Sequence, residues 1–216
     1  MDMVLVRWWG HACFEVRDKA VVVTDPHDGK SVNMEPPKVK ADIILVSHGH
    51  GDHASGRGMV TKPGGRVIDR SGNFEEKGIK VMGLDAFHDE ARGAKRGRNI
   101  IFTFEVDGIR FAHLGDLGHA LSDDEVRRLG LIDILMIPVG GYFTIDAKAA
   151  TAIVEKVKPR VVIPMHYKVP RLDYPISDVE PFLAGKKNVN RIGKSEFVYT
   201  KEQLPAQTRI DVFSPP

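Results

Sequence analysis

The chain has a single cysteine, no long apolar run and almost no net charge, and each shortage removes a class of protein. Cys13 by itself cannot close an internal disulfide, so a stapled secreted scaffold is excluded. The start MDMVLVRWWGH lacks the basic, apolar and cleavage regions of a signal peptide, which makes a reducing cytoplasm the expected compartment. No stretch approaches the roughly 18 consecutive apolar residues of a membrane-spanning helix, so no membrane insertion is expected. A formal net charge of +2 provides no electrostatic case for a nucleic-acid partner.

What remains is ordinary for a globular protein. A hydrophobic share of 42% beside a charged share of 28% argues against disorder. The 216 residues fit one domain, expected over 1–216, that can bury a two-layer core.

Short apolar runs at Val4 to Trp8, Cys13 to Val16, Val21 to Thr24, Ile43 to Val46, Arg66 to Asp69 and Ile79 to Met82 predict strands. Asn99 to Val106 and Ile109 to Leu114 flank Asp107-Gly108, a pair that readily supplies the positive φ angles of a tight hairpin turn. Helical signals come later. Ser122 and Glu125 have capping-box spacing ahead of Val126 and Leu129. From Asp146 to Lys158, the residues Ala150, Ile153, Val154 and Val157 repeat at helical spacing, and Pro159 stops the run. Phe197 to Tyr199 and Arg209 to Phe213 could add short strands, and no repeat of solenoid period is present.

Three apolar runs end in loops of unusual composition: IILV into SHGHGDH, ILMI into PVGG, and VVI into PMHY. Chemistry gathers at such strand ends. The first loop places His48, His50, Asp52 and His53 within six positions, with glycines that let neighbouring side chains diverge. Imidazole suits zinc, iron and related ions, and a carboxylate adds charge and can orient a bound water. A His-rich surface turn without function is the bland alternative, and four potential ligands in one short loop weigh against it.

HGHGDH resembles the HxHxDH signature of the metallo-β-lactamase superfamily. Asp25 in VVVTDP resembles the family's early Asp, which supports the metal loop. Asp116 in HLGDLG resembles the carboxylate that bridges two ions, and His166 in IPMHY resembles the last His ligand. WWGHACFEV, GDLGH, PVGG and PMHY look most like the branch that includes ascorbate-6-phosphate lactonase-like and N-acyl-phosphatidylethanolamine phospholipase-like proteins. The resemblance implies an α/β fold, a four-layer αββα sandwich, and a metal-dependent hydrolase.

It also implies a ligand set. His48, His50 and His88 would hold one ion and Asp52, His53 and His166 a second, with Asp116 between them and a bridging hydroxide oriented by Asp52 or giving it a proton. His88 in AFHDE is preferred to His113 because the family's ligand lies on a loop well before the bridging Asp. His113 also stands only three residues before Asp116 on one strand, where their side chains should start on opposite faces. Zinc is the expected ion, with manganese, iron or nickel compatible with the same donors.

His11 and His119 lie close to motif loops and are candidates to orient a ligand or protonate a leaving group, against the alternative of a merely hydrogen-bonded or exposed imidazole. For His27 and His113 that alternative is preferred. Tyr142, Thr144 and Tyr167 could point hydroxyls into the cleft or serve as ordinary strand-end and capping residues. The stretch DEARGAKRGR carries Arg92, Lys95, Arg96 and Arg98 directly after His88; it is either a cationic flap suited to a small anionic substrate or a solvated loop part-neutralised by Asp89 and Glu90. Three departures from the family pattern stand out. Gly-Asp-Leu replaces the frequent Gly-Asp-Thr, ASGRGMV is a weak helix former where a helix usually follows, and no room remains for a large appended domain.

These features favour a dinuclear hydrolase of a small anionic ester, lactone or phosphodiester. A tRNA-processing-type nuclease uses similar ligands, but no long basic arm is evident. Iron chemistry is a further alternative: retention of His50 argues against the di-iron flavoprotein pattern, while an iron-dependent thiol dioxygenase remains open. A non-catalytic metal-binding scaffold would show metal without turnover, and a homo-oligomer is compatible with a chain of this size.

Overall fold

The computed structural model describes residues 3–216. In chain order the elements are β1 (Val4–Trp8), β2 (Phe14–Arg17), β3 (Val21–Thr24), β4 (Ala41–Leu45), α1 (Gly51–Ala54), α2 (Arg57–Val60), β5 (Thr61–Ile68), β6 (Gly72–Glu76) and β7 (Ile79–Phe87). They continue with β8 (Arg98–Val106), β9 (Ile109–His113), α3 (Asp123–Leu129), β10 (Ile134–Pro138), α4 (Ala147–Val157), β11 (Val161–Met165), α5 (Glu180–Leu183), β12 (Val189–Arg191), β13 (Glu196–Tyr199) and β14 (Arg209–Val212).

The strands form two sheets, ordered β13-β1-β2-β3-β4-β5 and β12-β14-β11-β10-β9-β8-β7-β6. Their facing sides share one apolar cluster that includes Trp8, Phe14, Leu45, Phe102, Phe104 and Phe111. Helices α3, α4 and α5 contribute Leu129, Ala150, Ile153 and Phe182 to it. A smaller cluster on the other side of the first sheet packs Trp9, Cys13, Val23 and Ile44 against Val60 of α2. The order is therefore helix, sheet, sheet, helix, the sandwich that the motifs imply. Strands β4, β10 and β11 are buried at every position, as expected of strands covered on both faces.

Local chemistry accounts for the helix ends. Ser122 accepts from the Glu125 backbone N–H while Glu125 reaches back to the Ser122 N–H, completing the expected capping box of α3. Asp146 caps α4 through the Ala149 N–H, and Lys158 closes it in a left-handed conformation before Pro159. After His53 the usual helix is reduced to the four-residue turns α1 and α2, in keeping with the weak propensity of ASGRGMV.

The strand pattern departs from expectation around β5 to β7. Strand β5 begins at Thr61, five residues before the apolar run at Arg66, and β6 was not legible because GNFEE carries no buried alternation. Its pairing with β7 makes it a strand. Among the described residues no helix is long and apolar enough to cross a membrane.

The two sheets are also joined through a polar link. Fully buried Asp211 on β14 accepts the Tyr199 hydroxyl of β13 at 2.9 Å, the Arg209 guanidinium at 2.7 Å and the Asn190 amide at 3.0 Å. Burial first, and then the Asp211 charge, push the Tyr199 phenol well above its ordinary value of 10.0. Neutral Tyr199 is thus favoured in the folded chain, and its contribution is present below the ordinary phenol pKa and lost as pH rises toward the folded one. We expect Asp211→Ala to cost about 3 kcal/mol in urea unfolding, because a buried hydroxyl and a guanidinium lose their acceptor. Tyr199→Phe should flatten the alkaline loss of stability.

Candidate metal centre

Strands β4, β7, β9 and β11 all deliver residues to one end of the sandwich. β3, β4 and β5 are mutually parallel in the first sheet, and β9, β10 and β11 in the second. β7 runs with β9 because both are antiparallel to β8. Their carboxyl ends therefore meet where the sheets face each other, the usual place for a site in a sheet of parallel strands. The loop after β4 brings His48, His50, Asp52 and His53, the end of β7 brings His88, the loop after β9 brings Asp116, and the loop after β11 brings His166.

Potential ligand atoms fall into three overlapping groups, each within 4.8 Å: His48, His50 and His88; His48, His53 and Asp116; and His11, Asp52, His53 and His166. Asp116 stands at their junction. Its Oδ2 lies 3.1 Å from His88 Nε2, 3.3 Å from His166 Nε2 and 3.8 Å from His48 Nε2, and its Oδ1 lies 3.2 Å from His53 Nε2. The structure brings together all seven residues that the motifs propose as ligands and adds His11 to the second half.

The donors fit a cation. Buried His53 Nε2, His88 Nδ1, His166 Nδ1 and Asp116 Oδ1 have no hydrogen-bond partner among the described residues. A buried polar atom left so costs about 1–3 kcal/mol, and an ion bound beside Asp116 would satisfy His53 Nε2 and Asp116 Oδ1, whereas His88 and His166 turn Nε2 rather than Nδ1 toward that carboxylate. Burial first, then the neighbouring His53, lower His48 to about 3 and keep its imidazole neutral, as a ligand must be. Burial opposes a charge on His53, but Asp116 and Asp25 outweigh it and raise His53 well above its ordinary value. Burial would likewise raise Asp116, but His166 and His53 hold it well below the usual carboxylate range. The cation that His53 presents between two carboxylates is the charge that an ion would replace.

The other candidates have distinct places. His11 is buried, and its Nε2 lies 3.2 Å from Asp52 Oδ2. Burial, then His166, lower it to about 3, and its Nε2 is placed to donate to Asp52, the orienting one of the two roles its motif position offers. His119 has both ring nitrogens engaged: Nε2 accepts from the Phe87 N–H and Nδ1 donates to the Ala120 carbonyl. His113 and His27 are buried imidazoles satisfied by backbone, His113 between the Ala12 carbonyl and the Gly115 N–H. Tyr167 turns away toward the Phe213 carbonyl, and the Thr144 hydroxyl bonds the neighbouring Ile145 carbonyl. Tyr174, which no motif marked, directs its hydroxyl to the Ser31 carbonyl at 3.0 Å and to Asp52 Oδ2 at 3.3 Å.

A buried network fixes the ligands from behind. Asp25 Oδ1 accepts the Ser47 N–H at 2.7 Å, while Oδ2 accepts the Ser47 hydroxyl at 2.7 Å and His53 Nδ1 at 2.9 Å. Because the Ser47 proton goes to Asp25, its oxygen accepts from His48 Nδ1 at 2.9 Å. Both His48 and His53 are thereby held with Nδ1 protonated and Nε2 turned inward, the arrangement by which carboxylates orient metal-binding imidazoles. Asn99 does the same for the bridging loop, donating to the Leu114 carbonyl and accepting the Asp116 N–H at 3.0 Å. Close approach requires glycine at two points: a Cβ on Gly115 would lie 2.5 Å from Ser47 Cβ, and one on Gly118 2.2 Å from the His88 carbonyl carbon. We expect Ser47→Ala to weaken metal binding about 10- to 100-fold in chelator competition, with all ligands still present. Gly118→Ala should lose metal by displacing His88.

Comparison with known proteins agrees with this geometry. Residues 5–166 match the β-lactamase superfamily domain. The chain is 30% identical over 207 residues to a UPF0173 metal-dependent hydrolase of Thermoplasma acidophilum, covering 85% of this chain and 91% of that one. It is 32% identical over 191 residues to a UPF0173 metal-dependent hydrolase of Thermococcus onnurineus, covering 76% and 85%. A crystal structure of a proposed zinc-dependent hydrolase of the metallo-β-lactamase superfamily from Thermotoga maritima superposes with a TM-score of 0.81 at 35% identity, covering 99% of this chain and all of that one. The chain therefore belongs to the metallo-β-lactamase superfamily, among its UPF0173 metal-dependent hydrolases.

Proposed function

We propose that this metal-dependent hydrolase works with two divalent ions, zinc by preference, and cleaves a small anionic ester, lactone or phosphodiester. The observation that carries the two-ion assignment is Asp116, whose two oxygens lie within 3.1–3.8 Å of imidazole nitrogens from both halves of the centre. His48, His50 and His88 would hold one ion and Asp52, His53 and His166 the other, with Asp116 shared. Such a pair, when bound, would lower the pKa of a water and polarise the group to be cleaved. A mononuclear iron site would need only two imidazoles and one carboxylate, and the donor set here is more than twice that.

The chain's own residues supply position and charge. His11 and Tyr174 both contact Asp52 Oδ2, so that oxygen is held from two sides while Oδ1 has no donor among the described residues. Burial would raise the Asp52 carboxyl, but the His11 hydrogen bond and the His53 charge hold it well below the usual range. That suits an ion ligand and an orienting acceptor for water better than a proton acceptor at neutral pH. Hydrolysis then adds the water oxygen to the acyl carbon or phosphorus, breaks the bond to the leaving oxygen, and returns the water's protons to solvent and leaving group.

The test is metal content per chain on protein purified without added metal, beside turnover of phosphodiester, phosphomonoester, lactone and β-lactam substrates. About two ions are expected, with His48→Ala and Asp116→Ala losing both metal and activity. Wild-type protein that binds no ion would overturn the assignment, and bound metal without turnover of any substrate would favour the scaffold alternative.

A further inference from the structure

Beside the metal centre lies a cavity of about 600 Å³ that His88 shares with residues of the 89–97 loop and the segment from Gly118 to Ala152. That is the size of a small-molecule pocket. Its lining joins an aromatic surface, Tyr142 and Phe143, to three cationic side chains, Lys95, Arg96 and Lys148. Arg96 is half-buried and its guanidinium stands 5.4 Å from the centre of the Phe143 ring. Among the described residues none of these three cations has a carboxylate partner, whereas neighbouring Arg98 is paired with Asp85.

The lining also holds three carboxylates, Asp89, Glu90 and Asp146, and among the described residues none of them forms an ion pair with these cations. Asp89 is buried and turned into its own loop, where Oδ1 accepts the N–H groups of Ala91 and Gly93 and Oδ2 those of Lys95 and Arg96, at 2.7–3.0 Å. Asp146 is committed to the cap of α4. Among the described residues exposed Glu90 has no partner, and exposed Asp146 keeps Oδ2 unused. The same four bonds to Asp89 make the loop a fixed arm, and the His88 N–H to Gly97 carbonyl bond closes it onto the ligand strand at 3.1 Å. The backbone at Arg96 is therefore fixed before any substrate arrives, and the Phe143 ring is the contact of its guanidinium, which lowers the ordering cost of binding. A half-buried guanidinium with unused donors recognises a planar or tetrahedral oxyanion.

We propose that this cavity is a second substrate subsite, which binds a carboxylate or phosphate carried remote from the scissile bond on Arg96, Lys95 and Lys148 while the substrate's body lies along Phe143. This rests on the proposed hydrolase function and adds to it that the recognised charge is not the group being cleaved. The strained left-handed backbone of exposed Tyr142, with φ of 61°, places that ring at the mouth, 4.7 Å from Phe143.

The zinc-loaded full chain is titrated with phenyl phosphate by calorimetry and by amide chemical shifts. Expected are shifts in residues 93–98 and 142–149, and binding at least about tenfold weaker in Arg96→Gln, with partial recovery in Arg96→Lys and metal content unchanged. Absence of binding, equal binding by Arg96→Gln, or shifts confined to residues 47–53 and 116 would overturn the subsite. A second arm compares 4-nitrophenyl butyrate with mono-4-nitrophenyl succinate, which differ in a remote carboxylate. Wild type should prefer the succinate by about tenfold or more in kcat/KM, through KM, and Arg96→Gln should lose most of that preference. Equal turnover of both esters would overturn the subsite and leave the hydrolase standing. Phenyl phosphate binding at the arm with neither ester cleaved would support the subsite and count against the hydrolase.

Discussion

The centre depends on one buried carboxylate, Asp25, which is fully enclosed and hydrogen-bonded by Ser47 and His53, with His113 Nδ1 3.9 Å away. Burying a charge is costly unless it is paired and hydrogen-bonded. Here the compensation has a direction. Each bond that satisfies Asp25 fixes something that faces the centre: the path of the loop after β4, the Ser47 hydroxyl, and through it the tautomer of His48. An imidazole free to rotate would present N–H as often as a lone pair to an ion. The Asp25 network removes that ambiguity for two ligands at once.

The same logic extends outward through neutral groups. Asn99, at the start of β8, holds the loop that carries Asp116, and the backbone of Ile100 bonds the Ser47 carbonyl, so the two ligand loops are tied across the gap between the sheets. His11 and Tyr174 then reach Asp52 from the two remaining sides. Glycine at 115 and 118 allows the approach, since any side chain there would meet Ser47 or His88. The imidazoles sit close enough that protonating several together would be repulsive, and burial keeps His48 and His11 neutral.

The proposed function and subsite separate two tasks in space. The metal centre gathers at the carboxyl ends of β4, β7, β9 and β11, while the cationic arm after β7 is built from a loop that satisfies itself through Asp89. A loop organised around its own buried carboxylate can vary its outward side chains without disturbing His88. With the proposed subsite, specificity would change at Arg96 or Lys95 while the proposed ligands stay in place, a division common to folds that carry sites on loops over a rigid scaffold.

The sequence by itself determined the ligand-rich loop, the strand-to-loop positions of Asp25, Asp116 and His166, most strands of both sheets, and the caps of α3 and α4, because each is a local pattern of spacing and side-chain chemistry. Tertiary structure alone decided the rest. Tyr174 lies 122 residues from Asp52, and Asn99 lies 17 from Asp116 inside what reads as a plain hairpin, so no local spacing links them to the centre. The roles of His11 and His119 depended on what their ring nitrogens meet after folding, which residue identity does not encode. The cationic arm proposed for DEARGAKRGR likewise rests on side-chain directions that spacing does not carry: Asp89 points inward to the backbone, and Arg96 has no carboxylate partner among the described residues.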